Sequence, residues 1–280
     1  MAATTSSTSV ITLRPRRGWT DINLREMWRY RELLYFLTWR DIKVRYKQAA
    51  LGVAWAVIQP VVNIVIFTFV FGGLFKLDQG GTVNYPLLSA AGLLPWGLFA
   101  AALQRSSVSL VGNSNLLTKV YFPRLIIPIS SVLAGLVDFS ISLVVVFALM
   151  VYYRVAFTWN LLWLVPLTLL VLVTGLAVGL WLSALNVQYR DVQQAVPFLI
   201  TTWMYASPVA YSAGLVTGQV TRIIYGLNPM AGVIQGFRWA IMGGPPPGEL
   251  FIVSITMVVV LFVTGLFYFR RMERTFADLV

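Results

Sequence analysis

Few residues in this chain could do chemistry, and the most conspicuous is Asp138, alone within the apolar stretch 125–152. An unpaired carboxylate near the middle of a membrane span costs about 2.5–3.5 kcal/mol on insertion scales. Arg105 lies near the end of the preceding apolar stretch, 87–111. In antiparallel helices rising about 1.5 Å per residue the two would differ by roughly 8 Å in depth, which an arginine stem can bridge. A structural pair of Arg105 with Asp138, not a proton relay, is therefore expected. On that basis Arg105→Ala should impair assembly more than Asp138→Asn. Gln59 and Asn63 stand one turn apart on one face of the stretch 51–75. Buried amides need partners, so that face should meet protein or a water-filled path and not lipid.

The residues that are missing exclude several activities. The 280 residues contain neither cysteine nor histidine. This removes disulfides, thiolate nucleophiles, imidazole metal ligands and any Ser-His-Asp triad. Neither GxxxxGK[ST] nor GxGxxG after a strand occurs, so no nucleotide site is legible. No catalytic residue and no metal site is expected.

Those side chains must be positioned by membrane helices. Hydrophobic residues make up 58% and charged residues 11% of the chain, against about 25% charged in a soluble domain. The fold class expected is an all-α integral membrane protein. About 20 apolar residues cross a hydrocarbon core, and six spans follow, at about 51–75, 87–111, 125–152, 159–185, 195–211 and 250–269. With the N-terminus inside, seventeen Lys and Arg fall on the inner side and four on the outer. The positive-inside rule then places both termini in the cytoplasm. The net charge of +11 is concentrated ahead of the first span, which suits acidic headgroups and argues against nucleic acid. Residues 1–20 read as a disordered cytoplasmic tail.

Three segments lie outside this simple plan, and one pattern lies within a span. Residues 21–50 carry too many charges to cross, yet Trp28, Tyr35, Trp39, Ile42 and Tyr46 recur at helical spacing. They predict an amphipathic interface helix, either a plain membrane anchor or a cuff for a cytoplasmic partner. Residues 113–122 predict a short cytoplasmic helix, with Asn113 or Asn115 as N-cap and Pro123 as its stop; a tight basic loop is the alternative. The external segment 213–248 contains apolar pieces too short to span, either re-entrant helices or an ordered loop. In it Asn228-Pro229 can open a helix and Gly243-Gly244 can end it. Finally, Gly175, Gly179 and Ser183 form a small-residue stripe, suited to close packing within the subunit or at a dimer seam.

Several runs together resemble one known family. RDIKVRYKQAALGVAWAVIQP (40–60), NSNLLTKVYFPRLIIPISS (113–131), QYRDVQQAVPF (188–198), SPVAYS (207–212) and LNPMAGVIQGFRWA (227–240) are similar to the permease subunits of polysaccharide-export ABC transporters, the O-antigen and teichoic acid exporters. The resemblance implies a homodimer of six-span subunits in the cytoplasmic membrane, paired with two copies of a separate ATPase that binds ATP and Mg. No cofactor is expected in this chain itself. It implies that 113–122 is a coupling helix, in which Asn113, Leu116, Leu117, Lys119, Tyr121, Phe122 and Arg124 meet the ATPase. Tyr30, Tyr46, Leu51 and Gly52 would border the cytoplasmic entrance where an undecaprenyl-linked polysaccharide, O antigen foremost, loads. Gln59, Asn63, Trp203 and Tyr205 would line the conduit, since sugars bind amides and flat aromatic faces. Asn228, Pro229 and Arg238 would belong to an external gate.

There are three rival functions, and two of them have specific sequence objections. An ABC permease for teichoic acid, other lipids or drugs shares the architecture and differs only in cargo. A secondary transporter needs intramembrane ion-coupling sites and often repeated halves, whereas Asp138 is solitary and no halves repeat. A membrane glycosyltransferase needs paired carboxylates or a metal motif, and Asp191 stands alone in its cytoplasmic loop.

Overall fold

The computed structural model describes residues 24–47, 52–75, 84–211, 225–244 and 246–276. These form helices joined by turns, with no strand among the described residues. The N-terminal amphipathic segment is α1 (Leu24–Arg29) and α2 (Arg31–Lys47), broken at Tyr30. Next come α3 (Gly52–Phe67), α4 (Tyr85–Gly112), α5 (Ser114–Lys119), α6 (Ile126–Leu133) and α7 (Gly135–Tyr152). The C-terminal half holds α8 (Leu164–Gln188), α9 (Val192–Tyr205), α10 (Pro229–Met242) and α11 (Glu249–Met272).

Two departures from ideal helix coincide with expected spans. The last turns of the first span, Thr68–Leu74, are π-helical, and they carry Phe71 from Phe67 toward Phe75 in a run of neighbouring rings. The third span is divided at Ala134 into α6 and α7, with Ala134 itself keeping helical backbone angles of φ −59° and ψ −21°.

Five helical stretches are long and apolar enough to cross a membrane: Ala54–Leu74, Tyr85–Gly112, Ile126–Tyr152, Trp159–Gln188 and Glu249–Met272. The chain is a multi-pass membrane protein. Where a span at 195–211 was expected, α9 is 14 residues long and the chain then leaves the helix in a turn over Ala206–Val209. At about 1.5 Å per residue it covers roughly 21 Å, short of the roughly 30 Å core.

α4 is the central post, buried along most of its length. The close approach of α8 to it depends on missing side chains. A Cβ on Gly175 would lie 2.6 Å from Ala102 Cβ, and one on Gly179 would lie 2.6 Å from Ser106 Cβ. The small-residue stripe thus packs inside the subunit, as backbone approach in membranes requires small residues. α10 is buried over most of its surface and contributes Val233, Ile234 and Phe237 to the same core as Phe99 on α4 and Leu167 on α8. A second apolar cluster joins Leu37 of α2, Leu117 of α5, Phe122, Leu125, Ile126 and Phe276. By contrast α3 buries almost none of its surface within the chain, so its outer face is left for lipid or another protein.

Candidate conduit wall and coupling surface

A cavity of about 650 Å³ opens between α3, α4 and α7. Gln59 and Asn63 both line it, together with aromatic residues including Trp55 and Trp96. The one-turn spacing of the two amides puts them on a common face, and that face turns toward the cavity. Trp203 and Tyr205 do not line it. Trp203 donates its indole N–H to Asn228 Oδ1 at 3.0 Å and meets Phe99 edge-on. Tyr205 is exposed on α9.

Asp138 lies at the edge of this cavity and accepts from three side chains. Arg105 Nη2 is 2.5 Å and Arg45 Nη1 2.6 Å from its Oδ2, and the Tyr46 hydroxyl donates to its Oδ1. Burial, reinforced by the hydrogen bond to Asp138, pushes the Tyr46 phenol up to about 12, so the hydroxyl stays protonated at neutral pH. Arg45 and Tyr46 stand on the last turn of α2. Asp138 therefore ties the N-terminal amphipathic segment to two membrane helices. Sequence reasoning found Arg105 by depth along the spans but missed Arg45. Topology lends no weight to a residue 93 positions away on a separate helix, and the only signal was the placement of basic residues just ahead of the first span.

Of the residues expected at the cytoplasmic entrance, Tyr46 sits at the cavity and Tyr30 does not. Tyr30 packs with Met27, Leu33 and Leu34 against the second apolar cluster. Gly52 begins α3, and Leu51 lies outside the described residues. Trp28 of α1 and Tyr35 and Trp39 of α2 are exposed.

A short helix forms within the segment 113–122, but only six residues long, over Ser114–Lys119. Asn113 does not cap it with its side chain. Asn113 Nδ2 donates to the Ser109 carbonyl at 2.8 Å, and its Oδ1 accepts from Arg40 of α2 at 2.8 Å. The expected partner contacts divide accordingly. Lys119, Val120 and Tyr121 are exposed, Tyr121 by 68%. Leu117 and Phe122 are buried and Leu116 packs beside them, so the chain's own core already occupies the faces assigned to a partner's groove. Arg124 is also committed: it donates to the Glu273 carbonyl and lies over the Phe276 ring. It pins this loop to the end of α11.

On the opposite side Asn228 joins three elements. Its Oδ1 accepts from Met230 N at 3.0 Å, capping α10, while Pro229 takes the first helical position. Its Nδ2 donates to Ser207 Oγ at 2.8 Å and to the Ala206 carbonyl at 3.2 Å. Gly243 and Gly244 end α10 with φ of 79° and 96°, angles that suit glycine. Arg238 donates to the carbonyls of Val209 and Tyr211 at 2.9 and 2.7 Å, and the Tyr85 hydroxyl donates to Ala210 at 2.5 Å. These residues hold α10 against the turn that follows α9. Residues 213–224 of the expected external segment lie outside the described residues.

Residues 32–242 match the ABC-2 type transporter family. The chain belongs to that family. Among ABC-2 relatives it is 28% identical, over 89% of its own length and 96% of theirs, to an O-antigen export system permease protein of Myxococcus xanthus. A protein of the same description from Klebsiella pneumoniae is also 28% identical, over 89% of this chain and 95% of that one. A polysialic acid transport protein of Escherichia coli is 24% identical over 84% of this chain and 91% of its own. Among the described residues of this ABC-2 protein no group of His, Cys, Asp and Glu could hold a metal.

Proposed function

We propose that this ABC-2 protein is the channel-forming permease subunit of an exporter that moves a lipid-linked polysaccharide, most closely an O antigen, across the cytoplasmic membrane. The observation that carries this is the end-to-end alignment with relatives named as O-antigen export permeases, which leaves little of either chain unmatched. A separate ATPase subunit supplies ATP hydrolysis. Two copies of the permease face each other through the exposed sides of α3 and α9, and the amide-bearing wall at Gln59 and Asn63 borders the shared path. The termini lie in the cytoplasm, and the short α9 together with the turn after it and α10 completes the sixth crossing. Lys119 and Tyr121 form the exposed contact with the ATPase.

The test is reconstitution of the chain with its ATPase in vesicles and measurement of ATP hydrolysis with and without polymer–lipid. Hydrolysis that responds to the polymer–lipid supports the assignment. Polysaccharide export that persists in cells after loss of the ATPase sinks it.

A further inference from the structure

Arg45 and Asp138 line the cavity, and Arg105 pairs with Asp138 beside it. Two guanidiniums face a single carboxylate, so the cluster of Arg45, Arg105 and Asp138 carries a surplus positive charge. Each guanidinium has five N–H donors, and among the described residues each directs one at Asp138. Both cations remain partly open, with side-chain exposures of 47% for Arg45 and 23% for Arg105. Arginine forks match the oxygens of a phosphate bidentately. Directly beside this cluster the cavity wall turns apolar, through Trp55, Ile64, Phe67, Trp96 and Phe139. Its volume, about 650 Å³, falls within the roughly 300–1,000 Å³ typical of small-ligand sites. A charged mouth with an apolar chamber behind it fits a molecule with an anionic head and a hydrocarbon tail. Arg45 is also carried by α2, whose exposed Tyr35 and Trp39 suit the depth of lipid headgroups.

We infer that Arg45 and Arg105 form a seat for the phosphate of a prenyl-type lipid whose chain enters the cavity along α3, and that Asp138 is the seat's built-in competitor. The identity of that lipid as the carrier of the exported polymer rests on the export reading above; the seat itself rests on the geometry. Asp138 holds the two guanidiniums in place, takes one donor from each, and opposes with its negative charge a phosphate bound to the remaining donors. Removing an arginine and removing the carboxylate therefore have opposite effects on binding. A cluster that only braced helices would lose binding in both cases.

The test is titration calorimetry of the full-length protein, purified in a non-ionic detergent, with farnesyl diphosphate as the probe. Arg45→Gln and Arg105→Gln should each weaken binding about tenfold, the scale of one charge-assisted hydrogen bond. Asp138→Asn should tighten it. Arg45→Gln carries the decision if Arg105→Gln does not fold, because Arg45 is the more exposed of the two. Unchanged affinity in Arg45→Gln, or weakening in Asp138→Asn, overturns the seat. Inorganic diphosphate binding as tightly as farnesyl diphosphate overturns the lipid assignment in favour of a free-phosphate site. Dihexanoyl phosphatidylglycerol binding as tightly overturns the carrier assignment in favour of ordinary anionic membrane lipid. The two proposals fail separately. Probe binding with this pattern in a chain that exports no polysaccharide retains the seat and removes the export reading, and unimpaired export by Arg45→Gln does the reverse.

Discussion

Replacing Arg105 by alanine should cost far less than the loss of a lone intramembrane ion pair would. Had Arg105 been the sole partner, its removal would leave an uncompensated carboxylate, at about 3–5 kcal/mol for breaking a buried pair. Asp138 instead retains Arg45 at 2.6 Å and the Tyr46 hydroxyl. The cost of Arg105→Ala is then that of one hydrogen bond to a charged group, about 1.5–3 kcal/mol. Arg45→Ala should cost less, roughly 0–1 kcal/mol, because its side chain is 47% exposed and solvent screens the pair. The double variant leaves Asp138 with a phenol alone, so its loss should exceed the sum of the two by about 0.5–3 kcal/mol. The measurement is the unfolding midpoint of the purified protein in one detergent at one heating rate, since membrane-protein unfolding is often a rate and not an equilibrium. Equal losses for Arg45→Ala and Arg105→Ala, or strict additivity in the double variant, would refute the shared-carboxylate argument.

Gly179→Val should lower the unfolding midpoint, with a cost of about 1–3 kcal/mol or more, because its Cβ would collide with Ser106 and force α8 from α4. Asn228→Ala should cost more than the ~1 kcal/mol of a lost N-cap, since the contacts to Trp203 and Ser207 go with it; Asn228→Asp, which keeps the cap, should fall between. Leu117→Ala should destabilise the folded chain by about 2–5 kcal/mol, whereas Tyr121→Ala should leave the unfolding midpoint unchanged and reduce polymer-stimulated ATP hydrolysis in the reconstituted complex. Equal midpoints for Leu117→Ala and the parent chain would contradict the burial of α5.

Local chemistry was legible where the signal was local. The cap at Asn228, the first-turn Pro229 and the glycine stop at Gly243 each act within a few residues, so their types announce the limits of α10. The face shared by Gln59 and Asn63 follows from helical period alone. The extent of α5 was overstated because its inward face could not be known. Leu116, Leu117, Val120 and Tyr121 look alike as apolar residues on a loop, and only packing against α2 and Phe276 separates the buried pair from the exposed one. Arg124 shows the same limit, since its partners are a carbonyl and a ring about 150 positions away.

The sequence by itself determined that this chain lives in a membrane and where most of its spans begin and end. Those properties are sums over many residues or patterns of short period, and no single contact can overturn them. The tertiary structure decided which charges meet at Asp138, which face of the segment 113–122 is free, and that the stretch after Asp191 makes only a 14-residue helix before turning. Each of these depends on the packing of segments distant in sequence. Electrostatic and steric energies fall steeply with distance, so a few ångströms between helices settle what no residue type can announce.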